Sequence, residues 1–203
     1  MTQGTDPACD GWDNSECEGT PYCPPRCPRY VDPEGAAYVV RPFEPADRDA
    51  LVEMYGTIDP ESRTRGLPPT SRSGIESWLD GLTDRGWNLL ARRNGRIVGH
   101  VGVVPGDADE PKFVVFVRDD HQGRGLGTEL VRHTIAYAAD RDYDALRLSV
   151  SRGNRRAVRV YENVGFEFDG EGDRFTTDDL DLDMRLSLSA PVADRVRLPP
   201  AER

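Results

Sequence analysis

The chain has 203 residues, 37% of them hydrophobic, which is enough for one well-buried domain with extensions and short for two. Its 36 acidic residues outweigh 26 basic ones for a formal net charge of -10, and Lys112 is the single lysine in an otherwise all-arginine basic set, which argues against nucleic acid as a partner. No apolar run nears the roughly 20 residues that span a bilayer, and "MTQGTDPACDGWDNSEC" has neither a basic nor an apolar leader region, so a soluble, cytoplasmic protein with no membrane partner is expected.

Residues 1–35 are rich in Cys, Pro, Gly and Asp without apolar periodicity and read as an irregular extension. "AAYVVRPFEP" then reads as a strand. "PADRDALVEMY" follows as a helix with Leu51, Val52 and Tyr55 on one face. "DPESRTRGLPPTSRS" is a polar loop, and "GIESWLDGL" a short second helix. "WNLLARR" and "RIVGHVGVV" form a hairpin turning at Asn94 and Gly95. The strand "KFVVFV", a glycine-rich loop and a helix to about Asp140 come next, then the strand "ALRLSV" and a helix ending at Gly165. "FEFDGEGDRFTTDDLDLDMRLSLS" alternates like two final strands. The expected organisation is an extension over 1–35, a folded domain over 36–190 and a polar tail over 191–203. The acid excess, with lysine nearly absent, also fits a halophilic protein, since a Debye length of about 3 Å in 1 M salt quenches repulsion among carboxylates; an ordinary acidic, arginine-rich protein from a GC-rich genome is the alternative.

The loop "HQGRGLGTEL" carries the most information. A glycine-rich turn between a strand and a helix suits an anion, because the helix start leaves N–H groups unpaired and glycine lets a ligand come close. A Walker A loop is excluded, since Lys112 lies upstream of the glycines. The Rossmann pattern fails at its last position, which is Thr128, and a charged "RDDH" separates strand from loop. Within an acidic chain, Arg152, Arg155, Arg156 and Arg159 cluster without an intervening acid, and Arg118 and Arg124 flank the loop. This local reversal of sign suits a polyanion.

Two motifs together carry a resemblance. Gln122, Gly125 and Gly127 match Q/R-x-x-G-x-G/A, and "NRRAVRVYENVGF" places Asn154, Ala157, Tyr161, Gly165 and Phe166 in N-x-x-A-x-x-x-Y-x-x-x-GF. In this order of elements, over about residues 37 to 188, the chain resembles the GNAT superfamily of acyl-CoA-dependent N-acyltransferases. It departs at Asp119, where many members carry proline. The resemblance implies an α/β fold, a mixed and mostly antiparallel sheet of about seven strands flanked by four helices, splayed between strands 4 and 5.

The resemblance further implies an N-acetyltransferase that moves an acetyl group from acetyl-CoA to a primary amine by direct attack. The amine would belong to a protein lysine, an N-terminus or a small molecule. The cofactor pyrophosphate would be received by the backbone of Gln122, Gly123, Arg124, Gly125, Leu126, Gly127 and Thr128. Its pantetheine arm would pair with Val115, Phe116 and Val117 and meet Asn154. Tyr161 would protonate the departing thiolate, a role that suits a phenol still protonated at neutral pH. No base is evident: members that acetylate protein N-termini often carry a glutamate in the fifth strand, where Ser149 stands here, His100 and Glu110 are candidates only by proximity, and a water chain could serve instead. A monomer or homodimer is expected. The competing reading is a non-catalytic acyl-CoA-binding sensor or protein-interaction module.

Cys9, Cys17, Cys23 and Cys27 are all the cysteines, gathered in the extension. Four thiolates in one segment could enclose a structural Zn²⁺, although the spacings are not paired C-x₂-C. Two disulfides and reduced thiols are the alternatives.

Overall fold

A computed structural model of the protein describes residues 19–23, 25–59, 68–169 and 181–197. In chain order the elements are β1 (Arg29–Val31), β2 (Ala37–Pro42), α1 (Arg48–Gly56), α2 (Arg72–Arg85), β3 (Trp87–Arg93), β4 (Arg96–Val104) and β5 (Lys112–Val117). They continue with α3 (Leu126–Ala139), β6 (Ala145–Ser151), α4 (Arg155–Val164), β7 (Glu167–Phe168), β8 (Asp181–Ser187) and α5 (Ala190–Arg197). The strands form one sheet in the order β1-β2-β3-β4-β5-β6-β8-β7. Every pairing is antiparallel except that of β5 with β6.

Local chemistry accounts for the elements. Asn94 and Gly95 both take positive φ, 49° and 78°, as a two-residue hairpin turn requires, and they set the register of β3 on β4. β4 is buried on both faces and reads as a continuous apolar run, with β3 and β5 at its sides and helices on both faces. On one face α1 and α2 bury Leu51, Val52, Tyr55, Ile75 and Leu79 against Leu90 and Ile97. On the other, α3 and α4 close a larger core with Leu130, Ile135, Leu148, Tyr161, Phe166 and Met184. The predicted apolar edge of α1 is thus the buried one.

The mixed, mostly antiparallel sheet is the expected architecture, with one strand and one helix more among the described residues than the sequence suggested. The extra strand is β1, inside the stretch read as irregular. Three residues cannot show a period-2 pattern, and β1 is instead set by Asp32, whose carboxylate accepts from the Glu34 and Ala36 backbone N–H groups and turns the chain into β2. The extra helix is α5, inside the stretch read as a polar tail. Val192 and Val196, one turn apart, seat it on the core beside α3, and two valines among small and charged residues do not stand out as a helix. Among the described residues no helix is long and apolar enough to cross a membrane.

The expected splay falls between β5 and β6. They pair only at Lys112 and Arg147 and then diverge, leaving a slot that opens toward the glycine loop.

Candidate active site

The loop leaves β5 through a short 3-10 turn, Asp119–His121, and enters α3 at Gly125. Gly123 and Gly125 both hold left-handed backbone, φ 82° and 80°. α3 has no side-chain cap, whereas Ser71 caps α2 and Asn154 caps α4. The N–H groups of Gly123, Arg124 and Gly125 meet no backbone acceptor among the described residues, and those of Leu126, Gly127 and Thr128 belong to the open first turn. Gln122 stabilises the loop from within, its side-chain amide donating to Val117 O at 3.1 Å and Asp119 Oδ1 at 3.0 Å.

The two motif glycines differ in what requires them. A Cβ at Gly125 would lie 2.4 Å from the Tyr30 hydroxyl, so the fold itself demands glycine there. A Cβ at Gly127 would find nothing nearer than Val117 Cγ2 at 3.8 Å, which leaves a hollow facing outward. Arg156 lies against the loop, its Nη2 3.3 Å from the Cβ position of Gly123. Among the described residues Arg155, Arg156 and Arg159 form no ion pair, in a chain where acids outnumber bases. Arg118 and Arg124 are engaged, with Asp120 and with Asp32 and Glu34. The sign reversal seen in the sequence therefore persists in the fold on α4.

Register decides which β5 groups face the slot. Arg118 N donates to Val98 O, so by alternation Phe116 and Val114 direct their backbone to β4 while Val115 and Val117 direct theirs to the slot. Phe116, expected to share that edge, instead turns its ring to the α1 and α2 face, against Tyr55 at 5.4 Å and Trp78 at 5.8 Å between centroids.

Tyr161 comes from α4 on the helix-covered face. Its ring is held by Phe113 and Phe166 at 6.1 and 5.9 Å, and burial pushes its phenol up to about 12. The hydroxyl has no hydrogen-bond partner among the described residues. The phenol therefore keeps its proton at neutral pH. Asn154 has its side-chain oxygen engaged as the α4 cap, accepting from Ala157 N at 3.1 Å.

The two proximity candidates for a base are committed elsewhere. Tyr55 OH donates to His100 Nδ1 at 2.5 Å, the other ring nitrogen meets Asn88 Oδ1 at 2.9 Å, and Asn88 Nδ2 donates to Leu82 O. Burial drives this imidazole down to about 3. Glu110 is clasped by Arg185, with Nη2 to Oε1 at 2.6 Å, which holds its carboxyl below the usual range. The sequence did not suggest one further carboxylate: Ser149 Oγ bonds Asp183 Oδ1 of β8, and Lys112 Nζ lies 3.8 Å from the same oxygen. Strand pairing 34 residues apart gave no sequence signal for it.

Cys9 and Cys17 lie outside the described residues. Cys23 and Cys27 are half-buried, and among the described residues no three metal-ligating side chains gather. A hollow lined by Gly86, Trp87, Pro105 and Arg141 sits beyond the far end of α3, about 21 Å of helix from the loop, and is not part of this arrangement.

The acetyltransferase (GNAT) family matches residues 48–166, a segment holding the loop, the slot and Tyr161. A mycothiol acetyltransferase from Thermomonospora curvata is 34% identical over 146 residues, covering 68% of this chain and 46% of that protein. This chain therefore spans about half the length of the curated relatives it matches. Among solved structures, the GNAT domain of PAT from S. lividans superposes with a TM-score of 0.65 at 22% identity, covering 79% of this chain and 96% of that one. An acetyltransferase from Salmonella typhimurium, solved with its cofactor acetyl-CoA, gives a TM-score of 0.59 at 21% identity, covering 75% and 95%.

Proposed function

The chain belongs to the GNAT acetyltransferase family, and we propose that it transfers an acetyl group from acetyl-CoA to a primary amine by direct attack. The observation that carries this reading is the parting of β5 from β6 beside an uncapped, cation-flanked helix start, with the buried phenol of Tyr161 on the α3–α4 face of the same sheet. The residues fit acetyl-CoA: the hollow at Gly127 admits a phosphate, and Arg156 supplies charge where the fold leaves it unpaired. When bound, acetyl-CoA supplies an activated thioester and a thiolate leaving group.

Each residue then has a task that its surroundings support. The N–H groups of residues 123–128, with Arg156, hold the pyrophosphate, and the backbone of Val115 and Val117 orients the arm as a substitute strand. Tyr161 keeps its proton well above neutral pH and donates it to the sulfur as charge develops there. The amine enters from the opposite face of the sheet, where Arg147, Ser149 and Ser151 alternate with the core-facing Leu148 and Val150. Asp183, bonded by Ser149 and 3.8 Å from Lys112, is the carboxylate that receives an ammonium group, which gives one proton to solvent and attacks the thioester as the neutral amine. The proton-donating tyrosine and the amine-holding carboxylate thus stand on opposite faces of the sheet. In this reading the acyltransferase domain takes in residues 36–190 together with β1 and α5, which share its sheet and core.

The test is acetyl-CoA titration by calorimetry, followed by thiol release across amino acids, polyamines, small metabolites and lysine-bearing peptides. One bound acetyl-CoA per chain and turnover with one amine class are expected. Binding without turnover on any amine would favour a sensor instead, and absence of binding would end the proposal.

A further inference from the structure

We propose that the β1–β2 turn is a built-in brace for the glycine loop, with Tyr30 as its positioning residue for acyl-CoA. This inference rests on the reading that the loop receives the cofactor pyrophosphate. None of the residues that β1, β2 and their turn supply to the brace belongs to either family motif.

Three loop residues are held from the same turn. Tyr30 OH donates to Arg124 O at 2.6 Å, and the same hydroxyl faces Gly125 so closely that only glycine fits. Arg124 reaches back to Asp32 at 3.3 Å and to Glu34. Tyr38 OH lies 3.1 Å from Asp32 Oδ2 and 3.2 Å from His121 Nδ1, in the turn that opens the loop. The Asp32 side chain is fully buried and gathers these contacts together with two backbone N–H groups of its own turn. Behind the brace, Arg26 is buried against Glu129 in the first turn of α3, with Nη2 to Oε1 at 2.8 Å, and Cys27 O meets His133 Nε2 at 3.1 Å.

The physical consequence follows from the two left-handed glycines. Glycine loses more backbone freedom on ordering than any other residue, so an unrestrained loop would lose that freedom each time a ligand bound. The brace removes it in advance and presets the N–H array. It also gives Arg124 a specific part. Its guanidinium is a strut between loop and turn, whereas Arg156 on α4 is the arginine left to meet phosphate.

Tyr30→Phe in the full chain deletes one hydroxyl and keeps the ring that packs on Tyr38. Acetyl-CoA affinity by calorimetry should fall about 5- to 10-fold, as for one lost hydrogen bond, with the melting temperature near wild type. Amide hydrogen exchange in the ligand-free protein should rise selectively over 119–130. Arg124→Met should weaken binding similarly, and the double variant should lose less than the sum of both, because both remove one brace. Wild-type affinity together with wild-type exchange in Tyr30→Phe would overturn the proposal, as would additive losses in the double variant. If acetyl-CoA fails to bind the wild type while Tyr30→Phe still loosens the loop, the brace stands and the pyrophosphate reading falls.

Discussion

The starts of α3 and α4 are neighbouring helix N-termini treated in opposite ways. At α4 the fold supplies its own acceptor, the Asn154 side chain, and the end is closed. At α3 a glycine stands at the cap, no side chain covers the first turn, and the surrounding polar groups hold the loop's shape without occupying its N–H groups. Two buried tyrosines repeat the contrast. Tyr55 donates into a closed chain through His100 and Asn88, while Tyr161, also packed against rings, donates to no partner among the described residues. Burial alone does not mark a functional group. What separates the pairs is whether the described residues already commit the polar atom.

The largest expected effect breaks the α3 side of the comparison. Gly127→Val fills a hollow that no protein atom needs, so acetyl-CoA affinity should fall by at least about 100-fold while the melting temperature stays near wild type. Gly125→Val should lose binding and stability together, because a β-branched residue at φ 80° is strained and its Cβ meets Tyr30. Next in size, Asp183→Asn should raise the KM of the accepted amine about tenfold with acetyl-CoA affinity unchanged, as for loss of one charge-assisted contact. Steady-state kinetics with the amine found in the panel reads this directly. On the α4 side, Asn154→Ala should cost about 1 kcal/mol in chemical denaturation, the usual worth of a cap.

A smaller effect sharpens the tyrosine contrast through pH. Burial holds His100 near 3 and His133 near 4, both below the ordinary 6.5 of the unfolded chain. Between those values the unfolded state binds more protons, so these two groups withdraw stability as pH falls from about 6.5 toward 4. A melting temperature that declines over this window more in wild type than in His133→Gln would register it. The pH–rate profile should carry no inflection from His100, whose accepting nitrogen is taken by Tyr55.

Much of this was legible in the sequence because it is local. Gly125, Gly127 and Tyr161 sit in short motifs whose spacing names a strand, a turn and a helix face. The brace and Asp183 were not legible. Tyr30 meets Arg124 across 94 residues and Ser149 meets Asp183 across 34, and no periodicity reports a contact made by strand pairing. β1 and α5 were missed for a different reason, being too short to show a pattern above a polar background. Phe116 shows the limit of a motif even where it applies: being in the right strand did not give the side its backbone faces, which required the register with β4.

Tyr161→Phe tests most directly whether the uncommitted hydroxyl serves the reaction. The substitution keeps the ring against Phe113 and Phe166 and removes only the oxygen. With chemistry rate-limiting and acetyl-CoA saturating, kcat should drop at least about tenfold, with cofactor affinity and melting temperature near wild type. An unchanged kcat, or a loss explained by a falling melting temperature, would make Tyr161 a core residue and contradict the account.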